Sequence, residues 1–253
     1  MKINDNIEII MDDNMVVMPT YPDNYFDLLD ADPPYFSGPE KRKYYGSDIS
    51  QTLVKRREYP ITESWELPTL EWFNEVKRIS INQIIWGANY FDFIGEPFKT
   101  PRGQEELEGF IKDHPTGWII WDKCNGEVSF NDFELAWTSF DRPTIVFKYM
   151  WNGMMQGKSI NEGHIMQGNK KLNQKRIHPT EKPILLYDWT FLHYTKPGDR
   201  VFSPYMGSGS DALSSINFPI HYTGCENTEI HVNNALKRIM NKLSQPKINF
   251  NYE

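Results

Sequence analysis

Apolar residues along this chain fall into short runs stopped by Gly, Pro, Asn or Asp, a pattern that predicts buried strands alternating with a few helices. The run at 7–10 predicts a short strand followed by Asp12 and Asp13. The next run, Tyr25-Phe26-Asp27-Leu28-Leu29, leads into Asp32-Pro33-Pro34-Tyr35, where two prolines must stop a strand because each lacks the ladder donor and fixes its own φ. Leu70, Phe73, Val76 and Ile79 recur at helical spacing, predicting a helix over 68–79 with Pro68 in its first turn. Strands rich in β-branched and aromatic residues are expected over 81–86, 117–121, 133–137 and 144–149. Their breaks at Gly87, Lys123-Cys124-Asn125-Gly126 and Asp141-Arg142-Pro143 fit a sheet ending in an antiparallel hairpin. Towards the C-terminus a helix over 181–193, a strand over 199–203, a helix starting at Ser210, a strand over 220–225 and a helix over 227–243 follow in turn, and 246–253 reads as a surface tail. Two stretches lack periodicity. Residues 36–64 form a long charged segment of the kind that covers or binds at a site, and 151–177 is rich in Gly, Asn, Gln and Lys.

Two of the breaks carry chemistry. In open α/β sheets ligands bind beyond the carboxyl ends of strands, which puts the Asp32 carboxylate, the Pro33 carbonyl and the Tyr35 ring in one crevice. The carboxylate and the carbonyl can each accept one proton of an amino group. The ring can stack on a flat heterocycle, a contact worth about 1–3 kcal/mol per base. A Pro-Pro pair alone is commonly just a turn, but the chain also carries Ser203-Pro204-Tyr205-Met206-Gly207-Ser208-Gly209-Ser210, a strand, glycine turn and helix start that suits a nucleotide-like ligand. The same turn meets the G-x-G-x-x-A fingerprint of dinucleotide sites, with Glu226 near the expected spacing, yet Asp32-Pro33-Pro34-Tyr35 has no role in hydride transfer. It is not a phosphate-binding Walker loop, because Ser210 and Asp211 stand where Lys and Ser/Thr would follow.

Together these motifs resemble the exocyclic-amino DNA methyltransferases, and the order, target motif first and cofactor motif last, is that of their circularly permuted β class. His178-Pro179-Thr180-Glu181-Lys182-Pro183 is similar to the segment preceding the cofactor turn in that class; Ile84-Ile85-Trp86-Gly87-Ala88-Asn89-Tyr90-Phe91 and Glu134-Leu135-Ala136-Trp137-Thr138-Ser139 resemble phage-type members. The resemblance implies an α/β, Rossmann-like fold with a mixed sheet, in one domain over 1–253, and S-adenosyl-L-methionine as cofactor. It implies catalytic roles for Asp32, Pro33, Pro34 and Tyr35, and cofactor contacts from Asp13, Asp32, Lys182, Ser203, Tyr205, Met206, Gly207, Ser208, Gly209, Glu226 and Asn227. Asp13 would meet the adenine amino group, although a helix-capping aspartate reads almost as well. Glu226 would meet the ribose hydroxyls.

The implied reaction is direct methyl transfer to adenine N6 in DNA, with the base flipped out and stacked on Tyr35. Cytosine N4 is the alternative, less favoured because Asp rather than Ser opens the tetrad. Carbon-5 chemistry is disfavoured because neither Cys124 nor Cys225 follows a proline. Glutamine methyltransferases use an Asn-Pro-Pro-Tyr form and the other motif order. Ser203 stands where the family usually has Asp, which leaves two matters open: whether Asp211 compensates, and whether the chain is instead a non-catalytic DNA-binding relative. Trp137 and Phe140 are candidates to line the base pocket, with core packing the competing reading. Residues 151–177 occupy the place of the target-recognition region, and their shortness predicts a small recognition sequence or relaxed specificity.

Composition adjusts this reading in one respect. The chain has 253 residues and a net charge of −7, which opposes phosphate binding unless positive charge is clustered. It is clustered: Lys41, Arg42, Lys43, Lys55, Arg56 and Arg57 follow the first motif, and Lys158, Lys170, Lys171, Lys175 and Arg176 lie in the second aperiodic stretch, predicting a duplex-facing patch. No window approaches the ~20 apolar residues of a membrane span, and the N-terminus lacks signal-peptide architecture, so a cytoplasmic protein is expected. Two cysteines and no His-Glu-x-x-His suggest neither a disulfide framework nor a metal. The expected partner is double-stranded DNA, with a second copy of the chain and a cognate restriction endonuclease as further candidates.

Overall fold

The computed structural model describes residues 1–35, 66–124, 132–152, 155–177 and 181–245. The charged segment holding Lys41, Arg42, Lys43, Lys55, Arg56 and Arg57, the His178-Pro179-Thr180 triplet and the C-terminal tail lie outside them. The described residues hold ten strands: β1 (Ile7–Met11), β2 (Phe26–Ala31), β3 (Ser80–Trp86), β4 (Trp118–Asp122), β5 (Phe133–Thr138), β6 (Ile145–Lys148), β7 (Trp151–Asn152), β8 (Met155–Gln156), β9 (Arg200–Ser203) and β10 (His221–Glu226). The helices are α1 (Asn14–Val17), α2 (Leu70–Ile79), α3 (Gly103–Asp113), α4 (Ile184–Tyr194), α5 (Ser210–Ser215) and α6 (Glu229–Leu243).

Eight strands form one sheet in the order β1-β10-β9-β2-β3-β5-β4-β6. Within it only β5 is antiparallel, to both β3 and β4. The last two strands of the chain therefore slot between the first two, with Met11 of β1 level with Glu226 of β10 and Leu29 of β2 level with Phe202 of β9. The carboxyl ends of β1, β10, β9, β2 and β3 thus share one edge, and because β5 runs the other way, its beginning, Phe133-Glu134, joins them.

Both faces of the sheet are covered, which is why its strands read as continuous apolar runs. On one face Leu28, Ile84, Trp86, Ile119 and Ala136 pack under α4 and α6. On the other Leu29, Ala31, Ile85, Ile120 and Leu135 pack under α2 and α3. Helix α2 begins at Leu70, two residues later than the spacing predicts, because the Thr69 hydroxyl accepts the Trp72 amide at 3.2 Å and caps it. Helix α4 begins at Ile184 with Pro183 as its cap, so Glu181 and Lys182 stay outside the helix, where their side chains turn into the site. Helix α3 has no counterpart among the expected elements, since only Leu107 and Phe110 of it are buried. Its acidic first turn, Glu105 and Glu106, with Lys112 in the last, is the signal that marks it.

The structure corrects the expectation for Phe140. It lies just after β5, at the end of the sheet away from Asp32, with Tyr194 at 5.0 Å and the Arg142 guanidinium at 5.4 Å. Trp137 packs on the α2 face, edge-on to Phe73 at 6.1 Å. Both serve packing. Among the described residues no helix is long and apolar enough to cross a membrane.

Candidate active site

Chain reversal after β2 delivers Asp32, Pro33, Pro34 and Tyr35 to the shared edge. The Asp32 carboxylate is ion-paired and hydrogen-bonded to Lys182, whose ammonium also lies 3.3 Å from Glu134. Glu134 in turn pairs with Lys123, which follows β4. Lys182 is almost wholly buried, with its side chain 4% exposed. Two ammonium groups thus alternate with two carboxylates. Burial is the largest influence on the Asp32 carboxyl and pushes it up, with Lys182 opposing. Burial also acts on Glu134, but Lys123 and Lys182 overcome it and bring its carboxyl down to about 2. The Lys182 ammonium is held above its ordinary range by Asp32 and Glu134 against the effect of burial.

Tyr35 is fixed on several sides. Gly87, at the end of β3, has φ +68°, and a Cβ there would sit 2.3 Å from Cδ1 of the Tyr35 ring. The ring is parallel to that of Tyr90, with centroids 5.3 Å apart, and the Lys182 ammonium lies 5.6 Å from its centre. The Tyr35 hydroxyl is pushed well above the usual phenol range by burial first and then by the nearby Glu134 carboxylate. Tyr90 itself is anchored to Thr100 through its hydroxyl at 2.8 Å. Glu134, Lys123 and Tyr90 were not singled out by sequence. A buried-strand pattern opening with a charged residue was the available signal for Glu134.

The adjacent strand, β9, ends at Ser203 and opens into the glycine turn. Gly209 has φ +74°, and a Cβ on it would meet that of Ala235 at 2.8 Å, so glycine is what lets α6 pack against the turn. At Gly207 the same position is open, with nothing within 4 Å, and its amide donates to Glu226 at 2.9 Å. Glu226, at the end of β10, also accepts the Thr228 amide at 2.9 Å. Asp13 follows β1 on the same edge, exposed, and accepts the Met15 amide at 2.7 Å as the cap of α1. Asn227 is exposed beside Glu226. Met206 is buried, and its amide donates to the Cys225 carbonyl at 2.9 Å. Tyr205 turns to the opposite face, onto Trp72 at 5.6 Å. Ser208 is clamped from behind: the Arg238 guanidinium donates to its carbonyl at 2.7 Å and to Glu181 at 2.9 Å, and Glu181 also accepts from the Ser210 hydroxyl at 3.1 Å.

Ser203 and Asp211 occupy one buried cluster. The Asp211 carboxylate accepts the Tyr222 hydroxyl at 2.6 Å and the Ala212 amide at 2.8 Å, with Ser203 nearby. Burial raises its carboxyl to about 6, with Ser203 and Tyr222 holding it down. Asp30, two residues before Asp32, is driven well above the carboxylate range by burial, then by Asp211 and Asp32, while its one bond is from the Trp86 indole at 3.2 Å. The Asp211 carboxylate on α5 therefore lies beside Ser203 at the end of β9.

Of the basic residues expected to face DNA, Lys170, Lys171 and Lys175 are exposed. Arg176 lies over the Trp151 ring at 4.6 Å and is half-buried, and Lys158 pairs with Glu162 at 2.8 Å.

This arrangement suits S-adenosylmethionine. The open side of Gly207 leaves room at the turn, Glu226 and Asp13 offer carboxylates to hydroxyl and amino donors of a nucleoside, and the acidic strand ends suit a sulfonium. No family model matches the chain. It is 25% identical over 256 residues to the type II methyltransferase M.HinfI of Haemophilus influenzae, covering 94% of this chain and 69% of that one. It is 26% identical over 211 residues to the type II methyltransferase M.HpaI of Haemophilus parainfluenzae, covering 74% and 60%. The chain thus spans about two thirds of the length of these relatives. The solved M1.HpyAVI–SAM complex superposes with a TM-score of 0.47 at 16% identity, over 92% of this chain and 99% of that one. The chain is thus similar in sequence to type II DNA methyltransferases over most of its length, and its mixed α/β sheet brings both motifs to one edge.

Proposed function

We propose that the protein methylates DNA on an exocyclic nitrogen, N6 of adenine, after the base has been flipped out of the duplex. The observation that carries this reading is the adjacency of β2 and β9: the Asp32-Pro33 acceptor pair and the glycine turn end neighbouring strands, so a target amine and a methyl donor would meet across one strand spacing. Bound S-adenosylmethionine supplies an electrophilic methyl group. The chain's own contribution is to accept hydrogen bonds from the two amine protons at Asp32 and the Pro33 carbonyl, which localises the nitrogen lone pair, and to hold the base against the aromatic wall of Tyr35 and Tyr90; as the methyl leaves sulfur for nitrogen, one of those protons is released to solvent and the other stays on the product. Positioning and electrostatics of this kind need no covalent enzyme intermediate. Cytosine N4 presents the same donor geometry and is the second reading; Asp at position 32 favours adenine. Lys170, Lys171 and Lys175 would meet phosphates, and 151–177 would carry what sequence readout there is. The motif order, with β9 and β10 last in sequence yet between β1 and β2 in the sheet, supports the permuted class.

The experiment is transfer of labelled methyl to unmethylated duplex DNA followed by nucleoside analysis. N6-methyladenine is expected. N4-methylcytosine would change the base, and no product despite DNA binding would identify a non-catalytic relative.

Asp211 gives a second expected outcome. If its carboxylate replaces the one absent at 203, cofactor affinity falls as pH drops through about 6 and Asp211 takes up a proton. Asp211→Asn should bind S-adenosylmethionine about tenfold more weakly above that pH, a loss of about 1.4 kcal/mol, and should lose the pH dependence. Calorimetric titration from about pH 5 to about pH 8, which brackets that midpoint, reads both.

A further inference from the structure

We propose that Lys182 is a positioning residue for the target amine: it holds Oδ1 of Asp32 so that Oδ2 faces the substrate, and Glu134 holds Lys182 in turn. The inference rests on the methyltransferase reading and deepens it, moving Lys182 from the cofactor contacts that its motif implies to the amine-binding side. Three observations carry it. The Lys182 ammonium is buried and bonded to Asp32 through one oxygen only. Its second carboxylate, Glu134, opens an antiparallel strand whose reversed direction is what brings it to the catalytic edge. The same Glu134 pairs with Lys123, and the Lys182 ammonium lies 5.6 Å from the Tyr35 ring, so Lys182 stands between the amine acceptor and the aromatic wall.

A bare carboxylate buried beside Asp30 and Glu134 would take up a proton and become a donor, competing with the amine it must accept from. Among the described residues the groups facing Asp32 are Asp30 on β2, Tyr35 in its own motif, Glu134 on β5, Lys123 after β4, and Lys182 and Tyr187 from the α4 segment. Of these only the two lysines are cationic, and among the described residues Lys182 is the one that pairs with Asp32. Breaking that contact therefore removes the main force keeping Asp32 an acceptor.

The test uses the full chain and the variants Lys182→Met, Lys182→Arg and Glu134→Gln, with circular dichroism to establish folding. The titration of the Asp32 carboxylate is followed by carbon-13 NMR, assigned with Asp32→Asn, and S-adenosylmethionine binding is measured by calorimetry. Lys182→Met should raise the Asp32 midpoint by about one unit or more, as loss of a directly bonded opposite charge does, and Lys182→Arg should restore it. Cofactor affinity should stay within about threefold, less than the tenfold step that marks a lost ligand contact. Glu134→Gln should lower kcat about tenfold with the KM for cofactor unchanged, as loss of orientation does. An unchanged Asp32 midpoint in folded Lys182→Met overturns the proposal, as does a tenfold loss of cofactor affinity there. If Lys182→Met does not fold, the Glu134→Gln kinetics decide, and a change in cofactor KM instead of kcat overturns it. Absence of methyl transfer in the wild type would overturn the functional reading, while the NMR titration would still report whether Lys182 controls Asp32.

Discussion

Asp32→Ala is expected to lower kcat by about 10³-fold, the size of effect seen when one preorganised electrostatic partner is removed from a reacting group. The carboxylate is one of two acceptors for the target amine, and the other, the Pro33 carbonyl, cannot localise the nitrogen lone pair alone. The same substitution strands Lys182, whose side chain is 4% exposed and whose remaining carboxylate, Glu134, lies 3.3 Å away. Removing one partner of a buried pair costs about 3–5 kcal/mol, and with Glu134 in place the lower end applies, about 3 kcal/mol. Single-turnover methyl transfer and thermal unfolding measure the two losses separately. Asp32→Asn keeps shape and an acceptor oxygen, so it should unfold closer to wild type while remaining severely slowed. A variant that loses stability but keeps transfer would remove Asp32 from the chemistry.

Gly87→Ala is expected to be nearly as damaging although position 87 carries no functional group. Its backbone is left-handed, with φ +68°, which costs a non-glycine residue about 1–3 kcal/mol. The added Cβ would also sit 2.3 Å from the Tyr35 ring, so the ring must leave its place between Gly87 and Tyr90. Overpacking of this kind costs a further ~1–3 kcal/mol. Because the Lys182 ammonium lies 5.6 Å from the Tyr35 ring, displacement of the ring would carry into the Lys182–Asp32 contact, and a misplacement of about 1 Å near reacting atoms costs about 10²-fold in rate. Expected, then, are a clearly lowered melting temperature and a loss of kcat with cofactor affinity largely kept, since the glycine turn lies on other strands. Equal loss of cofactor binding would show that the two halves of the site are not separable in this way.

Most of the strands were legible because their signals are local. The prolines at 33 and 34 stop β2 wherever the strand sits, the glycines at 207 and 209 demand a turn after β9, and β-branched and aromatic runs mark the strands between 80 and 148. Helix α3 was not legible from its apolar periodicity, because a helix that buries only Leu107 and Phe110 leaves almost none. The two motif ends were visible for the same local reason, and their chemistry follows from residue type: a carboxylate and a carbonyl accept amine protons in any fold.

What the tertiary structure alone decided is which groups meet. Lys182 and Asp32 are 150 residues apart in sequence, and their contact exists because β9 pairs with β2 and the α4 segment lies over that seam. Glu134 reaches the same edge because β5 is antiparallel, and Asp211 faces Ser203 because α5 begins directly after the glycine turn. Phe140, equally aromatic and close in sequence to Glu134, is carried to the other end of the sheet by that strand's direction. Turn and strand propensities are properties of a few neighbouring residues. The charge state and partner of a buried side chain depend on sheet order and strand direction, which are set by long-range packing of the whole core.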